Sequence, residues 1–562
     1  MSVLMRDRVA ALIAAGIRAA QQQGDLPEFV VPQIGVERPR QAGHGDYGSP
    51  VCLQLAKEAR MAPREIAARV VRHMPAADFA GTVEVAGPGY INLTLAPAWL
   101  TAQAHAILVQ GERWGWVDVG GGERVQVEFV SANPTGPLTV ASARNAAIGD
   151  VLASVLAAAG YQVEREYYVN DAGSQVRKFG ESLYARYLQA LGQDEPFPED
   201  GYRGLYLVDL GRELAQQHGT RYLEAPRREA VRALGAEGLE QMIDWIGRDL
   251  AALGVKFDVW FHERSLYESG LFEHLIQGLR DKGYIVEHDS AVWLRSPALE
   301  VDAVVIRSPE VIPEPEERPT YLASDIAYVW NKLVERGFNK AIYVWGADHH
   351  GDVPRLKAAA AALGLDPNRV VIILYQMVNL KRGGQEVRMS KRTGEFVTLR
   401  ELLDEVGPDP IRFMLLTRTV DSTMDFDLDL AVEQSDKNPV YYVQYAHARI
   451  ASILRYAAEA GWDVANDADV SSATHESELM LVRKMLEFPE IVSLAATQMA
   501  PHHLTFYAQE LAATFHTFYR DCRVVDQADP ERTRARLVLV RAARLTLAQA
   551  LGLLGVNAPE RM

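Results

Sequence analysis

Cysteine is almost absent from this chain, which has only Cys52 and Cys522 among its 562 residues. Two thiols that lie so far apart in sequence argue against a cysteine-based zinc site and fit a reducing cytoplasm. Long hydrophobic runs are also missing, because no uninterrupted apolar stretch approaches the ~20 residues that cross a bilayer. The N-terminal residues lack the apolar segment of a signal peptide. We therefore expect a cytoplasmic protein that has no membrane span and no zinc.

An excess of positive charge is missing as well, since 58 basic residues face 74 acidic ones and give a net charge of −16. Taken alone, this balance argues mildly against nucleic-acid binding. It does not exclude such binding, because a local basic patch can supply the phosphate contacts. The arginines of one predicted C-terminal helix form either such a patch or a solvated helix face. They are Arg532, Arg534, Arg536, Arg541 and Arg544.

The length allows three or four domains of about 150 residues each. Residues 1–115 are predicted to form an α+β domain. From 116 to 435, strands alternate with helices, which is typical of a parallel sheet with crossover helices, and a charged helical insertion is expected at about 180–300. From 436 to 562, helical periodicity predicts an all-α bundle. The predicted core strands are 125–130, 162–168, 340–345 and 370–375.

The most informative segment runs from Glu128 to Ser142. Its pattern predicts the end of a buried strand, a Pro/Gly turn and the first turn of a helix. A strand end that meets a helix N-terminus is where α/β sheets bind nucleotides, because free backbone N–H groups and the helix dipole favour phosphate. The segment therefore predicts a nucleotide site at the edge of the sheet.

A second segment, residues 386–395, contains Met389, Ser390 and Lys391 and follows the last predicted strand. A loop with a glycine hinge and a lysine can close on the phosphates of ATP as charge builds on the leaving pyrophosphate. Alone, such a short match is usually a solvated loop. Its position about 250 residues after the first segment makes a chance match unlikely.

Two further segments contain candidate binding residues. Asp348, His349 and His350 follow a predicted strand, so we expect them at the ligand-facing edge of the sheet. A metal cluster is the less favoured interpretation, because adjacent side chains rarely converge on one ion without further ligands. Tyr321 and Asp325 are four residues apart and share a face if their segment is helical. Asp325 could then bind a guanidinium group through both carboxylate oxygens.

Together these segments resemble the arginyl-tRNA synthetases, a bacterial-type family of class I aminoacyl-tRNA synthetases. Residues 128–142 resemble the family's ATP-binding signature, and residues 386–395 resemble its Lys-Met-Ser-Lys-Ser loop. Six other segments match the family in the same order and extend the resemblance over nearly the whole chain. They are 44–47, 86–92, 168–175, 257–260, 438–449 and 558–562.

The resemblance implies a multidomain fold with a Rossmann-like α/β catalytic core, an N-terminal α+β domain that grips the tRNA elbow and a C-terminal all-α anticodon-binding bundle. It also implies that the chain ligates L-arginine to tRNA(Arg) through an arginyl-adenylate, with release of AMP and pyrophosphate. ATP with Mg²⁺ would be required. In this family tRNA is needed even for the first step. We expect a monomer.

The resemblance also assigns site residues. The predicted catalytic residues are Lys391, Thr139 and Ser142. ATP is expected to bind Pro137, Leu138, Thr139, Val140, Ala141, Ser142, Asp348, His350, Met389, Ser390 and Lys391. Arginine is expected to bind Glu128, Ser131, Asn133, Tyr321, Asp325 and His349. For tRNA the expected residues are Tyr441, Tyr445, Arg449 and Met562.

The first ATP signature departs from the family pattern His-x-Gly-His. Thr139 and Ser142 replace the two histidines, and Ala141 replaces the glycine. The hydroxyl groups can still donate hydrogen bonds to phosphate, but they are neutral and shorter than imidazoles. Three interpretations therefore stay open: an active synthetase, a tRNA-binding paralog without amino-acid activation, and a nucleotidyltransferase with another acceptor. The predicted anticodon-type bundle argues against the third.

Overall fold

The architecture comes from a computed structural model, which describes residues 4–39, 43–312, 318–387, 396–462, 465 and 467–562. Its N-terminal part is a three-stranded antiparallel sheet, in the order β1–β3–β2, packed against helices. These elements are α1 (Met5–Gln22), β1 (Tyr47–Ser49), α2 (Val51–Ala59), α3 (Pro63–His73), β2 (Ala80–Ala86), β3 (Tyr90–Leu95) and α4 (Pro97–Gln110).

A five-stranded parallel sheet follows, in the order β11–β10–β4–β5–β6. Its strands are β4 (Arg124–Glu128), β5 (Gln162–Val169), β6 (Val259–His262), β10 (Lys340–Gly346) and β11 (Val370–Tyr375). The four predicted core strands are confirmed, because their apolar runs suit strands that are covered on both faces. The fifth strand, β6, lies in the segment that we expected to be a helical insertion.

Helices and a small sheet surround this core. The helices are α5 (Val140–Ala158), α6 (Ser174–Ala190), α7 (Leu205–His218), α8 (Arg227–Ala252), α9 (Arg264–Glu268), α10 (Leu271–Asp281), α11 (Tyr321–Trp330) and α12 (Val353–Leu363). A second antiparallel sheet is formed by β7 (Ile285–His288), β8 (Ala291–Leu294) and β9 (Ala303–Ile306). The segment 180–300 is thus not wholly helical. Its four-residue strands are too short to give a periodic signal.

A third small sheet, in the order β13–β12–β14, stands beside the core with three helices. These elements are β12 (Val378–Arg382), β13 (Gln385–Glu386), α13 (Leu399–Val406), α14 (Pro408–Met414), β14 (Met424–Asp427) and α15 (Leu428–Val432). The predicted C-terminal bundle is confirmed. It consists of α16 (Pro439–Glu459), α17 (Glu476–Leu486), α18 (Phe488–Thr497), α19 (His502–Asp521) and α20 (Pro530–Leu554).

Two of these helices, α5 and α20, are long and apolar enough to cross a membrane by length and composition alone. Both are mostly buried inside the protein, where a core helix has the same composition. Gly149 on α5 shows how tightly that helix packs. A Cβ atom at this position would lie 2.1 Å from Cγ of Phe129, so only glycine lets α5 approach the end of β4 so closely.

Arg412 joins the catalytic core to the C-terminal bundle. Its side chain is fully buried, and its guanidinium donates hydrogen bonds to the carbonyl oxygens of Leu554 and Leu253 at 2.9 and 3.2 Å. It also forms an ion pair with Asp150 on α5. One cation therefore satisfies groups on α5, after α8 and at the end of α20.

We expect Arg412→Met to lower the free energy of unfolding by roughly 3 kcal/mol, because buried carbonyl and carboxylate groups would lose their donor. Urea unfolding followed by circular dichroism measures the change. Arg520→Met is the control, since Arg520 is 73% exposed and pairs only with its neighbour Asp521. Equal losses in both variants would contradict the role of Arg412.

Candidate active site

The candidate site lies where β4 and β10 end side by side. These neighbouring parallel strands place Tyr343 opposite Glu128, so the residues that follow both strands meet at one edge of the sheet. The predicted segments at Glu128–Ser142 and Asp348–His350 are thereby brought together. The second of them forms a 3₁₀ turn, Ala347–Asp352, directly after β10.

The chain makes a strained turn immediately after β4. Val130 and Ser131 have φ angles of +65° and +41°, which side chains with a Cβ atom rarely adopt. The Val130 amide donates to Oδ1 of Asn145 at 2.8 Å, and the Asn145 amide group donates to the Val344 carbonyl at 2.9 Å. Such strain persists only where surrounding contacts impose it, and it is concentrated at functional sites.

Glu128 is buried beneath this turn, and both of its carboxylate oxygens are engaged. Oε1 accepts a hydrogen bond from the Ser131 hydroxyl at 3.1 Å, and Oε2 lies 2.5 Å from Nζ of Lys332. Lys332 itself is fully buried, and burial lowers its pKa despite the nearby carboxylates. Sequence reasoning missed Lys332. The sequence did contain a signal for it, namely a lysine within a segment that continues an apolar helical pattern.

The first residues of α5 form the expected strand–turn–helix edge. Thr139 caps the helix, and its backbone N–H donates to the Ser142 hydroxyl oxygen at 3.4 Å, in the arrangement of a capping box. The preceding turn is held by two tyrosine hydroxyls. Tyr167 donates to the Ala132 carbonyl at 2.7 Å, and Tyr206 donates to the Thr135 carbonyl at 2.5 Å.

Backbone pairing joins the two predicted ATP segments. Thr139 forms an isolated antiparallel bridge with Thr398, and the Leu399 amide donates to the Leu138 carbonyl at 2.7 Å. The chain just beyond residues 386–395 therefore lies against the start of α5. The predicted residues Met389, Ser390 and Lys391 lie outside the described residues.

Arg144 strengthens the same junction from within α5. This fully buried side chain donates to the carbonyls of Gln376, Ser422 and Thr419 at 2.6, 2.9 and 3.0 Å. Those carbonyls flank the small sheet that contains β12 and β14. The helix at the nucleotide edge and the sheet that precedes the second segment are thus fixed to each other.

A cavity of about 370 Å³ opens beside α11 and the 3₁₀ turn. Tyr321 begins α11 and Asp325 lies one turn later, so the predicted shared face is present. Its lining includes Trp293, Arg307, Tyr321, Asp325, Asp352 and Arg355. Gln175, from another matching segment, donates to the Tyr321 hydroxyl at 2.7 Å and fixes its position.

Asp325 and Glu263 make this region acidic. Burial raises the pKa of Asp325 well above its ordinary value, with further contributions from Glu128, Glu263 and Asp352. Burial also raises the pKa of Glu263 to about 7. Glu263 accepts a hydrogen bond from the Ser324 hydroxyl, while its Oε2 has no hydrogen-bond partner among the described residues. Asp325 lines the cavity, and a cationic ligand there would stabilise its ionised form, whereas Glu263 lies beside it through Ser324.

Sequence reasoning missed Glu263, although the matching segment 257–260 ends only three residues before it. The Glu263 backbone amide donates to the Val169 carbonyl at 3.0 Å, just after β6 ends. The carboxyl ends of β5 and β6 therefore bring this side chain to the same edge of the sheet. A carboxylate at a strand end was the signal, but β6 had not been recognised as a strand.

Asp348, His349 and His350 are exposed at the end of β10. His349 lies 3.4 Å from Asp352 and 3.7 Å from Asp348, which orients its ring toward the neighbouring carboxylates. Over the described parts of the chain, no group of three or more His, Cys, Asp or Glu side chains could hold a metal ion. Asn133 is likewise exposed, at the tip of the turn after β4.

The predicted tRNA residues share the surface of α16. The rings of Tyr441 and Tyr445 stack at 6.1 Å, and the Arg449 guanidinium lies 4.7 Å above the Tyr445 ring. The C-terminal tail runs along the same helix, held by hydrogen bonds from His447 to the Pro559 carbonyl and from Arg455 to the Glu560 carbonyl, at 2.8 and 3.0 Å. Met562, at the end of this tail, is 55% exposed.

The arginines of α20 do not form one basic face. Arg536 is buried in an ion pair with Glu478 at 2.6 Å, and Arg544 pairs with Glu560 of the tail. Neither interpretation of this helix therefore holds for all five arginines. Part of the positive charge stabilises the bundle.

The pKa of Glu263 predicts how pH affects a guanidinium ligand. With a pKa of about 7, Glu263 gains a negative charge beside Asp325 as the pH rises, so raising the pH from 6 to 8 should strengthen the binding of a guanidinium ligand such as arginine by about threefold or more. Calorimetric titration measures this change and the accompanying proton release. Glu263→Gln should remove most of the pH dependence, whereas Glu268→Gln, at the exposed end of α9, should retain it. An unchanged pH profile in Glu263→Gln would contradict the assignment.

Comparisons with known proteins follow the same division of the chain. Residues 7–95 match the arginyl tRNA synthetase N terminal domain, 103–412 match the catalytic domain of class I (R) tRNA synthetases, and 443–562 match the DALR anticodon binding domain. The boundaries at 115 and 435 that we expected from sequence stay predictions.

Full-length relatives are also similar. The chain is 47% identical over 552 residues to an arginine–tRNA ligase of Dehalococcoides mccartyi strain CBDB1, covering 98% of both chains. It is 48% identical over 562 residues to an arginine–tRNA ligase of Moorella thermoacetica, covering 99% of this chain and 98% of the relative. The solved arginyl-tRNA synthetase of Thermus thermophilus superposes with a TM-score of 0.77 and 26% identity over 100% of both chains.

The fold class expected from the sequence is confirmed by these domain models and by the solved structure. A nucleotidyltransferase with another acceptor finds no support, because the anticodon-binding domain is present at residues 443–562. The chain belongs to the arginyl-tRNA synthetase family of class I aminoacyl-tRNA synthetases.

Proposed function

We propose that this enzyme joins L-arginine to tRNA(Arg) in two steps. Arginine and ATP form arginyl-adenylate and pyrophosphate, and the arginyl group then passes to the terminal ribose of tRNA with release of AMP. The observation that carries the proposal is the cavity lined by Tyr321, Asp325 and Asp352, which offers a carboxyl group to a guanidinium ligand beside the 3₁₀ turn that follows β10. Because β10 and β4 are neighbouring parallel strands, the chain that leads from β4 into α5 leaves the same edge of the sheet.

Arginine would enter with its guanidinium toward Asp325. A planar guanidinium donates paired hydrogen bonds to carboxylates, and Tyr321 and Asp325 offer oxygen acceptors in one cavity. The α-amino and carboxylate end would lie toward Ser131, Asn133 and the Glu128 region. His349 would complete the wall between the two substrates.

ATP would lie across the N-terminus of α5, whose free backbone N–H groups and dipole favour phosphate. Asp348 and His350 would contact the adenosine side from the 3₁₀ turn. The other proposed ATP contacts on this helix start are Pro137, Leu138, Thr139, Val140, Ala141 and Ser142. Mg²⁺ would accompany the nucleotide phosphates.

The arginine carboxylate attacks the α-phosphorus in line, so the protein mainly positions groups and stabilises developing charge. We assign the stabilisation of the leaving pyrophosphate to Lys391, together with Met389 and Ser390 of the same segment. The bridge between Thr139 and Thr398 supports this assignment, because it anchors the chain beyond that segment beside the phosphate site.

The C-terminal surface would bind the tRNA anticodon. Tyr441 and Tyr445 offer stacked rings for unpaired bases, and Arg449 adds a cation beside them. Met562 would contribute from the docked tail. We further propose that the enzyme acts as a monomer in the cytoplasm.

A tRNA-binding paralog without amino-acid activation is the alternative, and no observation favours it. Thr139 and Ser142 retain the helix start that presents backbone N–H groups, and the acidic cavity is complete. The relatives that match over the full length are named as ligases.

Asp325→Asn tests the arginine site, because it keeps the size of the side chain and removes its charge. We expect the arginine KM in ATP–pyrophosphate exchange, measured with tRNA present, to rise by at least 30-fold, since such a pair is worth roughly 2–5 kcal/mol. The ATP KM should hardly change. Asp281→Asn, an exposed change at the end of α10, is the control. An unchanged arginine KM in Asp325→Asn would remove Asp325 from the site.

Thr139→Val combined with Ser142→Ala tests the hydroxyl groups at the phosphate site. Activation should slow by about 10- to 100-fold, because each hydrogen bond contributes roughly 0.5–1.5 kcal/mol. Asp529→Ala removes the N-cap of α20, which accepts from the Arg532 amide at 3.1 Å, and controls for lost capping alone. If the double variant loses stability like this control but exchanges pyrophosphate normally, the two residues only start the helix.

A further inference from the structure

We infer that Lys332 is a positioning residue for arginine, acting through Glu128 on the strained turn at Val130 and Ser131. The inference rests on the proposed function, because it assumes that the amino-acid end of the substrate lies against this turn. It adds to the site a buried cation that contacts Glu128, Tyr328 and Tyr343.

The location of Lys332 is unusual in its own right. Helix α11 ends at Trp330 and continues as a single π-helical turn, Asn331–Glu335, which contains Lys332. Insertions of this kind cost hydrogen-bond geometry and occur frequently at functional sites. The same helix begins with Tyr321 and Asp325 at the cavity. Lys332 is therefore fixed to the element that contains the proposed guanidinium contact.

Two aromatic rings enclose the ammonium group. Nζ lies 3.8 Å from the ring centre of Tyr328 and 3.7 Å from that of Tyr343. The ammonium group is therefore surrounded by aromatic π systems rather than by water. Nζ donates a hydrogen bond to Oε2 of Glu128. A cation held in this way has little freedom, and it fixes the carboxylate that it contacts.

Hydrogen bonds connect Glu128 to the strained turn. The other carboxylate oxygen accepts from the Ser131 hydroxyl at 3.1 Å, and the Ser131 oxygen accepts from the Tyr168 backbone amide at 3.1 Å. Ser131 is the second of the two residues with positive φ. The positions of Ser131 and of Asn133 beyond it thus depend on a carboxylate that Lys332 holds.

The charged groups that act on Asp325 support the same role for Lys332. Glu128 and Glu263 both raise the pKa of Asp325, and Lys332 opposes this effect. With Glu128 paired to Lys332, Asp325 remains for the guanidinium. We therefore expect the loss of Lys332 to weaken binding of the α-amino and carboxylate end of arginine more than binding of its guanidinium.

The test compares the arginine KM, ATP KM and kcat of ATP–pyrophosphate exchange in the full-length enzyme with tRNA. We expect Lys332→Met to raise the arginine KM at least tenfold with little change in the ATP KM, and Lys332→Arg to restore part of the loss. In a Glu128→Gln background, Lys332→Met should add less than a twofold further loss, because Glu128→Gln has already removed the ion pair through which Lys332 acts. Lys340→Met, which removes a half-buried lysine paired with Glu123 at the opposite end of the sheet, should have no effect.

A ligand probe separates the two ends of the cavity. 5-Guanidinopentanoic acid has the guanidinium but no α-amino group, so Lys332→Met should leave its inhibition constant unchanged, whereas Asp325→Asn should raise it. A parallel rise in Lys332→Met would overturn the inference, since it would indicate general collapse of the pocket. Independent, multiplicative losses from Glu128→Gln and Lys332→Met would overturn it as well.

Two further comparisons distinguish failure of this inference from misfolding of a variant and from failure of the proposed arginine site. If Lys332→Met alone does not fold, the Glu128→Gln/Lys332→Met double variant replaces both buried charges and is compared with Glu128→Gln. Equal arginine KM values in these two variants support the inference, and a further loss contradicts it. If neither Asp325→Asn nor Glu128→Gln changes the arginine KM, the proposed arginine site itself is wrong.

Discussion

The pairing of β10 with β4 is the constraint on which the rest of the site depends. The two strands are more than 200 residues apart in sequence, yet their parallel register places Tyr343 opposite Glu128. Everything that follows either strand therefore converges on one edge. The strained turn after β4, the 3₁₀ turn with its histidines and the end of α11 owe their proximity to this one ladder of backbone hydrogen bonds.

Buried charge stabilises this arrangement in a way that apolar packing alone could not. Arg144, Lys332 and Arg412 are all fully buried, and each one links elements that are distant in sequence. A buried cation without partners is costly, so each of them requires its carbonyl or carboxylate partners in place. Such contacts favour one relative placement of the elements over many that would bury similar apolar area.

Much of the fold could be predicted from the sequence, because strands covered on both faces have continuous apolar runs and helices have a 3.6-residue period. The four long strands were found in this way. The short strand β6 was not, since Val-Trp-Phe-His is too brief to be distinguished from its helical surroundings. Tyr321 and Asp325 were found through spacing and resemblance. Glu263 and Lys332 were missed because their burial depends on distant partners, which no local pattern records.

The protonation of Glu263 affects the hydrogen bond that it forms beside the cavity. A carboxyl group with a pKa of about 7 can donate a hydrogen bond when protonated, and it can only accept one when ionised. Its partner Ser324 directly precedes Asp325 on α11. The electrostatic environment of Asp325 therefore changes near neutral pH, because its neighbour is an uncharged acid on one side of that point and an anion on the other.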